Sequence, residues 1–317
     1  TGQQKFDIKS VQRAADEVEY LSGLYQGATI GTPLAFIIRN HEQKSADYDR
    51  LIASLKGIET VVFAGGISAR LEGEEMPVNL PGFKGGDRTD IELPAVQRIF
   101  LQKLHEAGKK VIFVNFSGSA MGLEPEVESC DAILQAWYPG ERGGQAIADV
   151  LYGDYNPSGK LPIPFYRNVS QLPDFQDYSM RGRTYRYMTE RPLFPFGYGL
   201  SYTKFNVGTA TLNAATAQGV TLTVPVQNVG RRQGTEVIQV YLRRTDDTQG
   251  PVKALRGFAR VTLNAGQSQD VQITINEQGL ETFDASTNTM RVLPGQYEIY
   301  YGTSSDNQDL KCLDVKL

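Results

Sequence analysis

Three glutamates crowd one stretch of this 317-residue chain. The run GGISARLEGEEMPVNLPGFKGGDR, residues 65–88, holds Glu72, Glu74 and Glu75, with Arg70 just before them and Asp87-Arg88 closing it. Carboxyl groups in pairs are the equipment of glycoside hydrolysis, one acting as nucleophile or base and the other as acid. On composition alone the same run reads as a solvated acidic loop. A second stretch, Ser117-Gly118-Ser119, offers hydroxyls, but it lacks the spacing of a nucleophile elbow. Only His41 and His105 are present as imidazole bases, so a serine triad is not expected. No Gly-x-Gly-x-x-Gly follows a strand-like run and no P-loop lysine pattern occurs, which speaks against a nucleotide. Cys130 and Cys312 match no metal-binding spacing and read as free thiols. No cofactor and no metal are expected.

The elements around these residues alternate. From Ser45 a helical pattern puts Tyr48, Leu51, Ile52 and Leu55 on one face, and Gly57 offers a left-handed stop. The apolar run 61–64 follows and ends in Gly65-Gly66. Pro94 opens a second helix whose Val96, Ile99, Phe100 and Leu104 share a face, with Gly108 closing it. A second buried strand is predicted over 111–116, and a third over 132–137 leads to a helix carrying Ala146, Ile147, Val150 and Leu151. Residues 34–38 offer a further strand. Continuous apolar strands separated by amphipathic helices call for a mostly parallel sheet with helices on both faces. Residues 42–166 therefore read as an α/β sandwich domain, and its loops beginning at Gly65, Ser117 and Tyr138 are where such sheets hold ligands.

After residue 205 the period changes. Val220, Leu222, Val224 and Val226 alternate with polar residues, as do Val271, Ile273 and Ile275, and then Tyr297, Ile299 and Tyr301. With turn-rich joints between them, residues 205–317 read as an all-β sandwich. Residues 167–204 form a connector rich in Pro, Gly, Tyr and Arg, laid across a domain surface rather than free. Residues 1–41 stay unassigned, although Val11, Val18, Leu21 and Tyr25 allow a helix there.

A net charge of −4 and a pI near 5.4 supply no field for gripping nucleic acid or an anionic membrane. No stretch approaches the roughly 20 apolar residues of a membrane span, and the opening TGQQKFDIKS has no signal-peptide pattern.

Longer motifs sharpen the reading. Residues 137–173, WYPGERGGQAIADVLYGDYNPSGKLPIPFYRNVSQLP, resemble the long signature of the α/β sandwich domain of family-three glycoside hydrolases. PLFPFGYGLSYTKF at 192–205 resembles that family's next signature, and TYRYM at 184–188 the aromatic stretch before it. GTEVIQVYL at 234–242 and VKALRGFARVTLNAGQS at 252–268 resemble its fibronectin type III-like domain.

The resemblance implies a retaining exo-acting β-glycosidase, β-xylosidase before β-glucosidase, acting on a β-linked oligosaccharide in the periplasm or outside the cell. It implies that the chain is the C-terminal two-thirds of such an enzyme. The nucleophilic aspartate is then expected on an N-terminal (β/α)8 barrel of the same polypeptide, which nothing here resembles, so the isolated chain is expected to be inactive. The family's acid/base lies in a Glu-Gly element followed by Asp-Arg, which matches Glu72-Gly73 and Asp87-Arg88 and implies Glu72 as acid/base, with Glu74 and Glu75 as alternates. About a dozen residues separate the two elements where the family has fewer. Arg70, Asp87 and Arg88 are the candidate substrate-binding residues. A carbohydrate-binding or interaction module without chemistry is the competing reading.

Overall fold

The structure, a computed structural model, describes residues 18–22, 24–25, 28–29, 35–38, 45–72, 77–85 and 87–317, with side chains from residue 48 onward except that of Arg70. Three strands, Thr60–Gly66, Lys110–Phe116 and Ala132–Gln135, form a parallel sheet with Lys110–Phe116 in the centre. Parallel neighbours need a crossover, and the helices Ala95–Glu106 and Glu124–Ser129 lie in the two crossovers. In the observed register Val61, Phe63, Val111, Phe113 and Ile133 share one face and pack into a core with Leu101 and Leu104. Phe63 meets Phe100 and Phe113 at centroid distances of 5.7 Å each, and Phe100 stacks on Tyr48 of the helix Ser45–Ser54. The helix Gly143–Tyr152 follows the third strand and stops at Gly153, whose φ of 81° is the left-handed cap glycine supplies cheaply.

Two local expectations change. The segment expected to allow a helix through Val18 and Leu21 is a strand, Val18–Ser22, paired antiparallel with Ala35–Ile38, and Tyr25 lies in a short strand, Leu24–Tyr25. Both paired segments are rich in β-branched and aromatic residues, and the cross-strand ladder outweighs a weak helical period. Val11 and His41 lie outside the described residues. The third parallel strand ends at Gln135 rather than Trp137, because Trp137 takes a φ of 56° and turns the chain.

The second half is a sandwich of two antiparallel sheets. Gly219–Asn228 pairs with Phe205–Val207, Thr211–Thr216 and Ser268–Asn276. The facing sheet runs Ala254–Leu263, Gly234–Arg244, Gln296–Gly302, Leu310–Lys316. The alternating residues meet between them, with Val220, Leu222, Val224, Ile273, Ile275, Ile299 and Tyr301 all buried.

The stretch between the halves leaves the α/β core and returns to it. Phe165 and Phe194 exchange backbone hydrogen bonds at 2.8 and 3.2 Å, and Leu161 and the 197–198 segment do the same at 2.8 Å each. Asn156 then ties the joint. Its Oδ1 accepts from Ser201 Oγ and Tyr202 N, and its Nδ2 donates to Gln233 O at 2.9 Å. Lys160 and Glu236 form a largely buried ion pair of 2.7 Å across the two domains.

Candidate functional site

The carboxylate of Glu72 sits where three loops converge. After the first parallel strand, Ile67 is buried and its N–H donates to Phe116 O at 2.8 Å, so the chain leaves the sheet at a fixed point. Ser68 opens a single helical turn, Ala69–Glu72, accepting from the Leu71 and Glu72 amides. That turn carries Glu72 back over the ends of the other two strands. Ser119 Oγ, from the loop after the second strand, donates to Glu72 Oε1 at 2.9 Å. Tyr138 Oη, just past the third strand, donates to Oε2 at 2.7 Å. The strained turn at Trp137 aims this ring, and packing of Trp137 edge-on against Phe165 holds the turn in place.

Arg88 completes the cluster. It ends a small antiparallel meander, Asn79–Leu80, Phe83–Lys84 and Asp87–Arg88, pinned to the core by buried Phe83. Its Nη1 donates to Ser119 Oγ at 3.0 Å and its Nε to Asp90 O at 3.0 Å, so Ser119 relays between guanidinium and carboxylate. Burial pushes the Arg88 guanidinium below its ordinary pKa, opposed by the charges of Glu72 and then Asp90. Its Nη2 is buried without a partner among the described residues. Burial also pushes the Tyr138 phenol up to about 12, with the hydrogen bond to Glu72 adding to it. Tyr138 therefore remains a donor across the neutral range.

Beneath the cluster lies an amide pair, buried Asn115 and half-buried Gln135. Asn115 Nδ2 donates to Gln135 Oε1 at 2.6 Å, Gln135 Nε2 to Ser117 Oγ at 3.1 Å, and Ser117 Oγ to Ser119 O at 2.9 Å. Ser117 is thus a buried strut. His105 is exposed in the last turn of its helix. Among the described residues no group of three or more His, Cys, Asp or Glu is placed to hold a metal ion.

Of the residues singled out from sequence, Glu72 and Arg88 come together through Ser119. Asp87, preceding Arg88 in an extended pair, is exposed and faces the other way. Glu74, Glu75 and the side chain of Arg70 lie outside the described residues. Tyr138 was flagged only as the start of a loop after a parallel strand, and Ser119 only as one hydroxyl of the Ser117-Gly118-Ser119 loop; neither was assigned a role at the carboxylate. Their places in those loops were the one signal available for them.

Comparison with known proteins places this geometry. The profile described as Glycosyl hydrolase family 3 C-terminal domain matches residues 4–202, taking in the N-terminal segment and nearly all of the connector. The Fibronectin type III-like domain profile matches residues 236–305. Among curated proteins, the chain is 54% identical over 315 residues to a xylan 1,4-beta-xylosidase of Xylanibacter ruminicola, covering 99% of this chain and 35% of that protein. It is 40% identical over 238 residues to a periplasmic beta-glucosidase of Salmonella typhimurium, covering 70% and 31%. Among solved structures, a β-glucosidase from Erythrobacter marinus superposes with a TM-score of 0.72 at 35% identity, covering 85% of this chain and 36% of that one. A β-glucosidase from Listeria innocua, solved with isofagomine, gives 0.71 at 29% identity, covering 87% and 39%. The chain thus spans about a third of the curated relatives' length, 35% and 31% in these two, not the two-thirds expected. Both profiles, in this order along one chain, assign it to glycoside hydrolase family 3, as the family's C-terminal α/β domain followed by a fibronectin type III-like domain.

Proposed function

We propose that this chain supplies the acid/base wall of a retaining exo-acting β-glycosidase, with Glu72 as the acid/base. One observation carries the reading: the loops after all three parallel strands close on the single carboxylate of Glu72, through Ser119, Tyr138 and the helical turn that bears it. Retaining hydrolysis needs a second carboxyl about 5–5.5 Å from the first. In this proposal a (β/α)8 barrel of the same polypeptide provides it. Glu72 protonates the leaving glycosidic oxygen as the barrel carboxylate attacks the anomeric carbon, then takes a proton from the water that releases the sugar. Arg88, whose buried Nη2 has no partner among the described residues, holds the Ser119 end of the cluster and is the stronger substrate-binding candidate, ahead of Asp87 and Arg70.

A β-xyloside is the favoured substrate and a β-glucoside the next, an order supported by the relatives named xylan 1,4-beta-xylosidase and Beta-xylosidase. A periplasmic or secreted location is supported by the relative named Periplasmic beta-glucosidase. The isolated chain is proposed to be inactive.

The test uses the full-length protein. Glu72→Ala is expected to lower kcat on unactivated β-xylosides by about 10²–10⁴-fold, to spare nitrophenyl β-xyloside more, and to respond to azide. Should Glu74→Ala or Glu75→Ala show that pattern while Glu72→Ala does not, the assignment moves along the loop.

A further inference from the structure

Both oxygens of Glu72 accept hydrogen bonds, Oε1 from Ser119 Oγ at 2.9 Å and Oε2 from Tyr138 Oη at 2.7 Å. That is the arrangement of an ionised carboxylate, the form that serves as base. As an acid the same group must carry a proton on one oxygen, and one of the two bonds must then reverse. The two donors are not equally free to do so.

Ser119 is committed from behind. Arg88 Nη1 donates to Ser119 Oγ at 3.0 Å, and a guanidinium cannot accept. The single hydroxyl proton of Ser119 is left for Glu72 Oε1, its acceptor among the described residues. Both partners of that pair are themselves fixed. Arg88 is held by its Nε on Asp90 O at 3.0 Å, and the Ser119 carbonyl accepts from Ser117 Oγ at 2.9 Å. Buried Ser117 is directed in the same way, because Gln135 Nε2 donates to it at 3.1 Å while Gln135 Oε1 is taken by Asn115 Nδ2 at 2.6 Å. Each serine thus accepts from a nitrogen that only donates and passes its own proton on, and every member of the set belongs to the α/β domain. Tyr138 differs. Its proton swings across the ring plane, and a phenol oxygen accepts as well as donates.

We infer that Ser119, aimed by Arg88, is a positioning residue that keeps Glu72 Oε1 an acceptor, so that the proton exchanged with the substrate is carried by Oε2. The inference rests on Glu72 as the acid/base. When the glycosidic bond breaks, the Oε2–H bond breaks with it: the proton passes to the leaving oxygen, which keeps the electron pair of its bond to the anomeric carbon. When water releases the sugar, its oxygen bonds to the anomeric carbon and Oε2 takes back a proton. Oε1 stays on Ser119 throughout, which restrains the carboxyl group while its charge comes and goes. Tyr138 turns from donor to acceptor whenever Oε2 is protonated.

The experiment uses the full-length protein and a ratio of two kcat/KM values. One is for xylobiose or cellobiose, whichever is cleaved, where the leaving group needs the acid; the other is for the matching nitrophenyl glycoside, where it needs the acid less. Ser119→Ala should lower the ratio about tenfold, and Ser119→Thr, which keeps a hydroxyl, should hold it within about threefold of wild type. A serine that only supports the fold would lower both values together; an unchanged ratio in Ser119→Ala overturns the inference. Arg88→Met should lower the ratio as Ser119→Ala does, and the double variant should fall no further than either. Losses that multiply would mean that Arg88 does not act through Ser119. Added to Glu72→Ala, Ser119→Ala should leave the ratio where it is, and a further fall would show Ser119 acting on the substrate directly. If Glu72→Ala itself leaves the ratio intact, the acid/base assignment fails and the inference with it; a ratio lowered by Glu72→Ala but not by Ser119→Ala sinks the inference alone. A neutron structure at acid pH then places the proton: a deuteron on Oε2 supports the inference, and one on Oε1 overturns it.

Discussion

The joint between the two domains and the loop end of the parallel sheet are made of the same materials. Each has aromatic rings, an amide-bearing side chain, a glycine against a side chain, and a carboxylate near a cation. In the joint every part faces inward. Tyr185 stacks on Phe196 at 4.2 Å and meets Tyr241 edge-on, and Tyr241 Oη donates to Gln239, whose Nε2 bridges Gly197 O and Thr303 O. Glu236 and Lys160 neutralise each other out of water. At the sheet end the same kinds of group are half open: Tyr138 is 43% exposed, and Arg88 has a donor without a partner among the described residues. Gln239, Tyr241, Lys160 and Glu236 in the joint bond to one another or to backbone, whereas the cluster at the sheet end keeps a donor over. The first should therefore answer to substitution in stability and the second in activity.

The largest effect is expected where the joint is tightest. Gly197 has a φ of 77°, and a Cβ there would lie 2.0 Å from Gln239 Oε1. Gln239 can retreat only by giving up its buried bonds to Gly197, Thr303 and Tyr241. Gly197→Ala is therefore expected to cost about 4 kcal/mol, from backbone strain, overpacking and lost hydrogen bonds together. Urea denaturation of the isolated chain measures it, and a cost below about 1 kcal/mol would mean that the joint yields.

Glu236→Ala comes next. It strands the Lys160 ammonium, 14% exposed, and removes the acceptor of the Val237 amide. The expected cost is about 3 kcal/mol, and Glu236→Leu with Lys160→Met should recover most of it, since a buried pair is worth little against apolar packing. If the double variant is no better than the single one, the pair fixes the domain arrangement by more than charge balance.

Much of this contrast was out of reach from sequence. The three parallel strands were legible as continuous apolar runs between helical patterns, and the sandwich strands because their burial is periodic, as in Val220, Leu222, Val224 and Val226. The strand Val18–Ser22 was not, because a partner some fifteen residues away decides it and a five-residue period decides nothing. Glu72 was reached through the resemblance of its loop to a family motif. Tyr138 and Ser119 were not, because what matters about them is where separate loops end, which no local pattern encodes. Phe175 and Tyr178 lay in a connector read as laid across a domain surface, and only their exposure sets them apart from the buried Phe165 and the half-buried Phe194.

The sheet end has its own glycine test. A Cβ on Gly118 would come within 2.7 Å of the Tyr138 ring and 3.1 Å of Glu72 Oε2. Gly118 is exposed and its φ is not left-handed, so the backbone tolerates alanine and the Tyr138 ring must move. Gly118→Ala in the full-length protein should lower kcat by about a hundredfold through misplacement of the carboxylate, with melting temperature nearly unchanged. The reverse result, stable activity with lost stability, would erase the distinction between the two regions.

The smallest effect separates two phenols by pH. Tyr138 is pushed up to about 12, by burial and then by its bond to Glu72, while deeper burial pushes Tyr241 further above the ordinary value. In the unfolded chain both ionise near the ordinary tyrosine pKa of about 10. Below that pH each phenol is protonated in both states, and its contribution to stability is constant. Above it the unfolded chain gives up the proton while the folded one holds it, so stability is lost as pH climbs, across roughly 10 to 12 for Tyr138 and over a longer span for Tyr241. Solvent screening at half-open Tyr138 reduces its share. Urea midpoints of wild type, Tyr138→Phe and Tyr241→Phe at pH 9, 10, 11 and 12 should therefore fall most steeply in wild type, less in each variant, with Tyr241→Phe becoming the flattest as pH reaches 12. Tyr241→Phe should also start lower by about 1 kcal/mol at every pH, because Gln239 Oε1 loses its donor. A flatter profile for Tyr138→Phe than for Tyr241→Phe would place the more deeply withdrawn phenol at the sheet end, and the sheet end would then be the closed region of the two.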